Sequence, residues 1–174
     1  MELGSGAGNF LVGLAQRQIE DNYLGIELRY KRCFRTLQKA QIHGVNNIYV
    51  LRYNCTLIGE LFAPTSVRAF YLNFPDPWEK RRQKKNRIFS AAFLQSIACC
   101  LEINGHLQIK TDHREYFEQI LDIIESDKRL KIRELSFDLY NSLYLENNIR
   151  TEFEGMYRNE GAAVNYLVAE RMPD

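Results

Sequence analysis

Glu2-Leu3-Gly4-Ser5-Gly6-Ala7-Gly8-Asn9 opens the chain and runs straight into the apolar helical stretch Phe10 to Ala15. Glycines at alternate positions let a backbone turn tightly after a strand and let a ligand approach with no Cβ in the way. Downstream, Tyr23 to Glu27 reads as a short strand ending in an acid, 23 residues after Gly4. A carboxylate there can accept both hydroxyls of a ribose, as in nucleotide-binding βαβ units. The dinucleotide fingerprint needs a glycine where Asn9 stands, and no lysine follows as in a P-loop. A plain structural turn would use the same glycines, so the loop alone does not decide its ligand.

Outward from this loop, apolar runs alternate with helical patterns. Arg29 to Gly44 has helical spacing, with Cys33, Leu37, Ala40 and Gln41 on one side and Gly44 as a C-terminal stop. Ile48 to Leu51 and Val67 to Phe74 read as strands, the second ended by Pro75 and Pro77. Ser90 to Leu101 reads as a helix, with Asn104-Gly105 as its terminating turn. His106 to Thr111 is a strand, Arg114 to Ser126 a helix, and Ile132 to Ser136 with Val164 to Ala169 a late strand pair. The stretch from 138 to 160 reads as a loop with a short helix. Strands alternating with helices imply an α/β domain, a mostly parallel sheet covered on both faces with a late antiparallel strand. Ligands of such sheets bind at the carboxyl ends of the strands. Because the first strand has only Met1 to Leu3, the expectation is one domain over residues 1–174 whose natural form has a further N-terminal segment.

The chain has 174 residues, 45% hydrophobic and 26% charged, which excludes a disordered or fibrous chain. No run of about 18 apolar residues exists, and the start lacks a signal peptide's basic and apolar regions. The four cysteines form no CxxC pair and the three histidines are scattered, so no metal centre is expected and a reduced, cytoplasmic setting fits. The net charge of +1 hides an asymmetry. Lys80-Arg81-Arg82-Gln83-Lys84-Lys85-Asn86-Arg87 holds six cations and no acid, leaving 17 basic against 22 acidic residues elsewhere. Such a patch is either a solvated loop or a polyanion contact.

Phe74-Pro75-Asp76-Pro77-Trp78 precedes that run. Two prolines restrict the backbone on either side of Asp76 and leave its carboxylate little conformational freedom. A rigid acid beside an aromatic and ahead of cations suits a base-binding pocket next to phosphates. Asn54 closes the third strand, where it can contact an adenine or simply form a turn.

Taken together, the acid-preceded GxGxG loop resembles the S-adenosylmethionine loop of Rossmann-like class I methyltransferases. FPDPW, the basic run, Thr111-Asp112 and Arg150-Thr151-Glu152-Phe153-Glu154, in that order, look like the bacterial tRNA (guanine-N7)-methyltransferase family. The resemblance runs from Glu2 to about Tyr166. It implies transfer of a methyl group from S-adenosylmethionine to N7 of the guanine at position 46, in the tRNA variable loop. It implies cofactor contacts from Glu2, Gly4, Gly6, Glu27, Asn54 and Asp76, with Asp76 as the central catalytic or guanine-orienting acid. Substrate contacts would come from Lys80, Asp112, Thr151, Glu152, Phe153 and Glu154. RNA backbone contacts would come from Arg82, Lys84, Lys85 and Arg87. The family usually has Asp at Asn54, His at Gln83 and Arg at Asn86.

The chemistry asks little of the protein beyond alignment. Guanine N7 has a free lone pair and needs no general base, and the product base gains positive charge. A carboxylate bonded to the guanine N1 and N2 hydrogens both identifies the base and favours that charge. Trp78 either stacks on the base or packs its own loop, and His113, beside Asp112, is read as a surface or packing residue. A non-catalytic RNA-binding subunit of the same fold is the alternative reading. A small-molecule methyltransferase and a dehydrogenase sit poorly with the cationic run and with Asn9. The expected partner is tRNA, with no membrane and no metal, and the chain as monomer or homodimer.

Overall fold

The computed structural model describes residues 1–159 and 161–173, without the side chains of 158 and 159. Seven strands form one sheet in the order β3-β2-β1-β4-β5-β7-β6. They are β1 (Glu2–Leu3), β2 (Tyr23–Ile26), β3 (Ile48–Leu51), β4 (Val67–Asn73), β5 (Leu101–Thr111), β6 (Leu130–Ser136) and β7 (Asn165–Arg171). β1 to β5 pair in parallel, and β7 lies antiparallel between β5 and β6. The helices are α1 (Asn9–Arg17), α2 (Tyr30–Ile42), α3 (Ala91–Cys100), α4 (Arg114–Glu125) and α5 (Glu152–Asn159).

Period-two alternation sends successive side chains of a strand to opposite faces. In β4, Phe70 and Leu72 enter one core with Phe93, Leu94, Ile97, Phe117 and Ile120 of α3 and α4. Tyr71, between them, joins a second core with Phe10, Leu11 and Leu14 of α1, Ala40 of α2 and Ile48. The sheet is thus covered on both faces. β1, only two residues long, is nonetheless central: Glu2 pairs with Gly25 on one side and Tyr71 on the other.

One local feature departs from the sequence reading. α3 ends at Cys100, capped at its start by the Ser90 hydroxyl, which accepts from Phe93 N at 3.2 Å. The chain then enters β5 directly. The Asn104-Gly105 turn falls inside that strand, where Leu101 pairs with Val67 but His106 already pairs with Ala69. Asn104 takes φ +65°, and a Cβ on Gly105 would stand 2.8 Å from the carbonyl oxygen of Arg68. The turn is a kink in the ladder and not a helix stop. Between β6 and β7, two short 3-10 turns (Leu139–Asn141 and Leu143–Asn147) precede α5, and position 160 lies outside the described residues. Among the described residues no helix is long and apolar enough to cross a membrane, and no His, Cys, Asp and Glu side chains group as metal ligands.

Candidate active site

A cleft of about 460 Å³ opens at the carboxyl ends of β1, β2 and β4. Its size suits a single small ligand. Glu2, Gly4, Gly6, Glu27, Asn54 and Asp76 all line it, as do Asp112, Thr151, Glu152 and Phe153. Residues scattered from position 2 to position 153 therefore share one cavity.

The glycine loop is fixed at its root by Gly4 N and Ser5 N, which both donate to the Ile26 carbonyl at 2.8 and 3.0 Å. Gly4 and Gly6 take φ of +75° and +56°, with open space where a Cβ would stand. Side chains there would be strained and would fill the cradle. Gly8 serves packing: its Cβ would lie 2.5 Å from Thr36 of α2.

The floor of the cleft is acidic and incompletely satisfied. Glu2 is buried, and its Oε1 accepts from Asn73 Nδ2 at 3.0 Å. Glu2 Oε2, Asn73 Oδ1 and Ser5 Oγ are buried without a hydrogen-bond partner among the described residues, and all three residues line the cleft. Buried polar atoms are rarely left unpaired, and two orphaned acceptors call for a donor-rich group. Burial pushes the Glu2 carboxyl up to about 7, against the opposing pull of Asn73 and Lys110. An ammonium within reach of both atoms would satisfy them and favour the charged carboxylate.

Glu27 closes β2 with its carboxylate held by two backbone amides. Gly6 N donates to Oε2 at 3.0 Å and Arg29 N to Oε1 at 2.8 Å. The acid thereby ties the glycine loop to the start of α2. Asn54 uses its Oδ1 to accept from Thr56 N at 3.1 Å, capping the 3-10 turn Cys55–Glu60, while remaining on the cleft wall. The turn role and the lining role thus coexist in one residue.

Asp76 stands exposed on the cleft rim. Phe74 and Trp78, two residues to either side, both take left-handed φ, +49° and +43°. Bulky residues rarely adopt that region, at a cost of order 1–3 kcal/mol each, and such outliers cluster at functional sites. The corner is held from three directions. Phe74 N donates to the Lys110 carbonyl at 2.7 Å. The Phe74 ring stacks on Tyr157 of α5, with centroids 5.5 Å apart. Arg87 Nε donates to the Pro77 carbonyl at 2.6 Å.

That last bond corrects the reading of the basic run. Arg87 is buried, donates to Gln119 at 2.6 Å and lies over the Tyr116 ring at 4.6 Å, so it is not placed to reach RNA backbone. Lys84 is ion-paired with Glu115. Lys80, Arg81, Arg82 and Lys85 remain exposed, and Lys80 lies outside the cleft lining. The final arginine of the run had the same sequence signature as its neighbours, and only its packing distinguishes it.

The Thr151-Glu152-Phe153-Glu154 segment divides in the same way. Thr151 Oγ1 accepts from Glu154 N at 3.0 Å, and Glu154 Oε2 accepts from Thr151 N at 3.3 Å. This is a capping box that starts α5. Glu154 is fully buried, bonded also to Lys110 Nζ at 2.8 Å and to the Tyr140 hydroxyl at 2.8 Å. It does not line the cleft, whereas Glu152 and Phe153 do. His113 caps α4, its Nδ1 accepting from Tyr116 N at 3.1 Å. Asn73, Ser5 and Lys110 were not singled out from the sequence. Lys110 has no local signal, because it continues the polar alternation of His106 and Gln108 along β5.

A family described as "Putative methyltransferase" matches residues 1–167. The chain is 36% identical over 171 residues to the tRNA (guanine-N(7)-)-methyltransferase of Lachnoclostridium phytofermentans, covering 98% of this chain and 79% of that protein. In three dimensions it resembles an rRNA methylase from Streptococcus thermophilus, with TM-score 0.64, 17% identity and coverage of 99% and 85% of the two chains. It likewise resembles a geranyl diphosphate methyltransferase solved in complex with SAM, with TM-score 0.65, 15% identity and coverage of 98% and 77%. At those identities the structural likeness speaks for the fold, and the sequence likeness carries the rest. On fold, motif order and near-full-length similarity, the chain belongs to the tRNA (guanine-N7)-methyltransferase family.

Proposed function

We propose that this protein transfers a methyl group from S-adenosylmethionine to N7 of a guanine in the variable loop of tRNA, in the cytoplasm. The observation that carries the reading is the pair of orphaned acceptors, Glu2 Oε2 and Asn73 Oδ1, on the floor of a cleft whose rim carries Asp76. Both acceptors fit the ammonium of the donor's methionyl part, and the Gly4–Gly6 cradle fits its close approach. Glu27 would hold the ribose hydroxyls, exchanging or sharing the amide bonds that it now accepts. Asn54 would offer its amide NH₂ group to the adenine side.

The bound sulfonium supplies an electrophilic methyl group and leaves as a neutral thioether. Asp76 would accept from guanine N1 and N2, which selects guanine and stabilises the charge that the base acquires. The base needs no deprotonation at N7, so Asp76 acts as an orienting acceptor and not as a general base. Asp112, Glu152 and Phe153 would complete the base pocket from the β5 and α5 sides. Arg82 and Lys85 would contact phosphates.

The test is methyl transfer from labelled S-adenosylmethionine to unmodified tRNA, with the modified base mapped by cleavage at N7-methylguanine. Label at guanine N7 in the variable loop, lost in Asp76→Ala while the variant keeps the native far-ultraviolet dichroism, supports the reading. Label elsewhere, or full activity in Asp76→Ala, contradicts it.

A further inference from the structure

No acidic residue occurs between Glu27 and Glu60, an interval that contains Arg29, Lys31, Arg32, Arg35, Lys39 and Arg52. This second acid-free segment has as many cations as the run at 80–87, spread over a helix and not a turn. Five of the six stand on α2 or at its N-cap, Arg29.

At 100° per residue, α2 has three distinct sides. Cys33, Thr36 and Ala40 are buried against the body of the protein. Lys31 and Arg35 project from the opposite side. Tyr30, Phe34 and Leu37 form a stripe between them and are exposed by 67%, 51% and 48%. Among the described residues the ion pair this segment makes is Arg32 with Glu27, at 3.9 Å. Arg29 and Arg32 line the cleft itself, and Arg52 Nε donates to the Leu28 carbonyl at 3.2 Å beside it. The cationic surface is therefore continuous with the cleft on its β2 side, while the run at 80–87 follows β4, on the other side of β1.

We propose that the exposed side of α2 is a second RNA-contacting surface. Lys31 and Arg35 hold phosphates, Tyr30 and Phe34 stack unpaired bases, and Arg29 and Arg32 lead the strand into the cleft. This rests on the tRNA reading above. Cations interleaved with exposed aromatics match single-stranded or loop RNA, whose bases stack on aromatic faces while its phosphates seek charge. A second copy of the chain is a poor occupant. A two-fold contact is isologous and would set this acid-free face against itself, cation against cation.

The experiment measures tRNA binding across a salt series for wild type, Lys31→Gln/Arg35→Gln and Tyr30→Ser/Phe34→Ser. The charge variant is expected to bind several-fold more weakly, with the slope of log affinity against log salt reduced by about 0.7–0.9 for each phosphate no longer neutralised. The aromatic variant is expected to bind fivefold or more weakly with the slope unchanged. S-adenosylhomocysteine affinity, read by calorimetry, should be the same in all three. Unchanged tRNA affinity and slope in both variants overturns the proposal, even if the wild type methylates guanine N7, in which case the catalytic reading stands alone. A lower salt slope in a protein that methylates no guanine N7 keeps this surface and removes the catalytic reading. Dissociation of a wild-type dimer in the variants, seen by sedimentation, also overturns the proposal by making the face a self-contact.

Discussion

Lys110 Nζ stands 2.8 Å from Glu154 Oε2, with both side chains wholly excluded from solvent. Lys110 also donates to Asn148 Oδ1 and to the Ile149 carbonyl, each at 2.9 Å. β5 is thereby fastened to the loop that leads into α5 and to the capping box that begins it. Burial alone would raise the Glu154 carboxyl, but Lys110, Tyr140 and Asn148 outweigh it and hold the group below the ordinary carboxylate range. The stability that this pair contributes is therefore present above the usual carboxylate pKa and is lost as acid titrates Glu154. Lys110→Met leaves the carboxylate buried and unpaired, with an expected loss of about 3–5 kcal/mol in urea unfolding. Lys110→Met/Glu154→Leu should recover part of that loss. A loss under about 1 kcal/mol in the single variant would show that the pair does not fasten α5.

Arg87 does for the Asp76 corner what Lys110 does for α5. Arg87→Met removes the donor to the Pro77 carbonyl and should cost about 1–3 kcal/mol. Trp78 is the sole tryptophan of the chain, so its emission reports this corner specifically. The variant should shift that emission while far-ultraviolet dichroism stays native, and methyl transfer should fall at least tenfold. Native emission together with native activity would reduce Arg87 to a packing residue.

The Glu2 carboxyl, raised to about 7, gives the cleft a pH dependence. A cationic ligand needs that group ionised, so binding below pH 7 must expel a proton. S-adenosylhomocysteine affinity should rise by up to tenfold per pH unit below 7 and level off above it. Glu2→Gln should bind more weakly at pH 8 and show a flat profile. Calorimetry between pH 5.5 and 8.5 checks this, and a pH-independent wild type would remove Glu2 from the ammonium site.

Much of this was legible because local rules agree with the global fold. Ile48 to Leu51 is a strand by its apolar run, Arg114 to Ser126 reads as a helix and forms α4, and the proline-bounded Asp76 lies where a strand of a parallel sheet ends. What escaped the sequence depends on packing across distance. Nothing local marks Arg87 as buried and Arg82 as exposed, because Gln119 and Tyr116, the residues that enclose Arg87, lie some 30 positions away. The Thr151 to Glu154 spacing is the signature of a capping box, so the segment that the family resemblance reads as substrate-binding is also a helix start. The acid-free interval after Glu27 is also visible as sequence, with four cations in the seven positions from Arg29 to Arg35, but only the helix shows which of them share its exposed side.

The most direct measurement pairs one atom of the base with one side chain. Unmodified tRNA carrying inosine in place of the target guanine lacks the N2 amino group, and its methylation is compared with that of the guanine form for wild type and for Asp76→Asn. If Asp76 accepts from N2, inosine should lower the wild-type kcat/KM by about 10- to 100-fold, the worth of a charged hydrogen bond, and should make little further difference in the variant. Equal penalties for inosine in both proteins would contradict an Asp76–guanine contact.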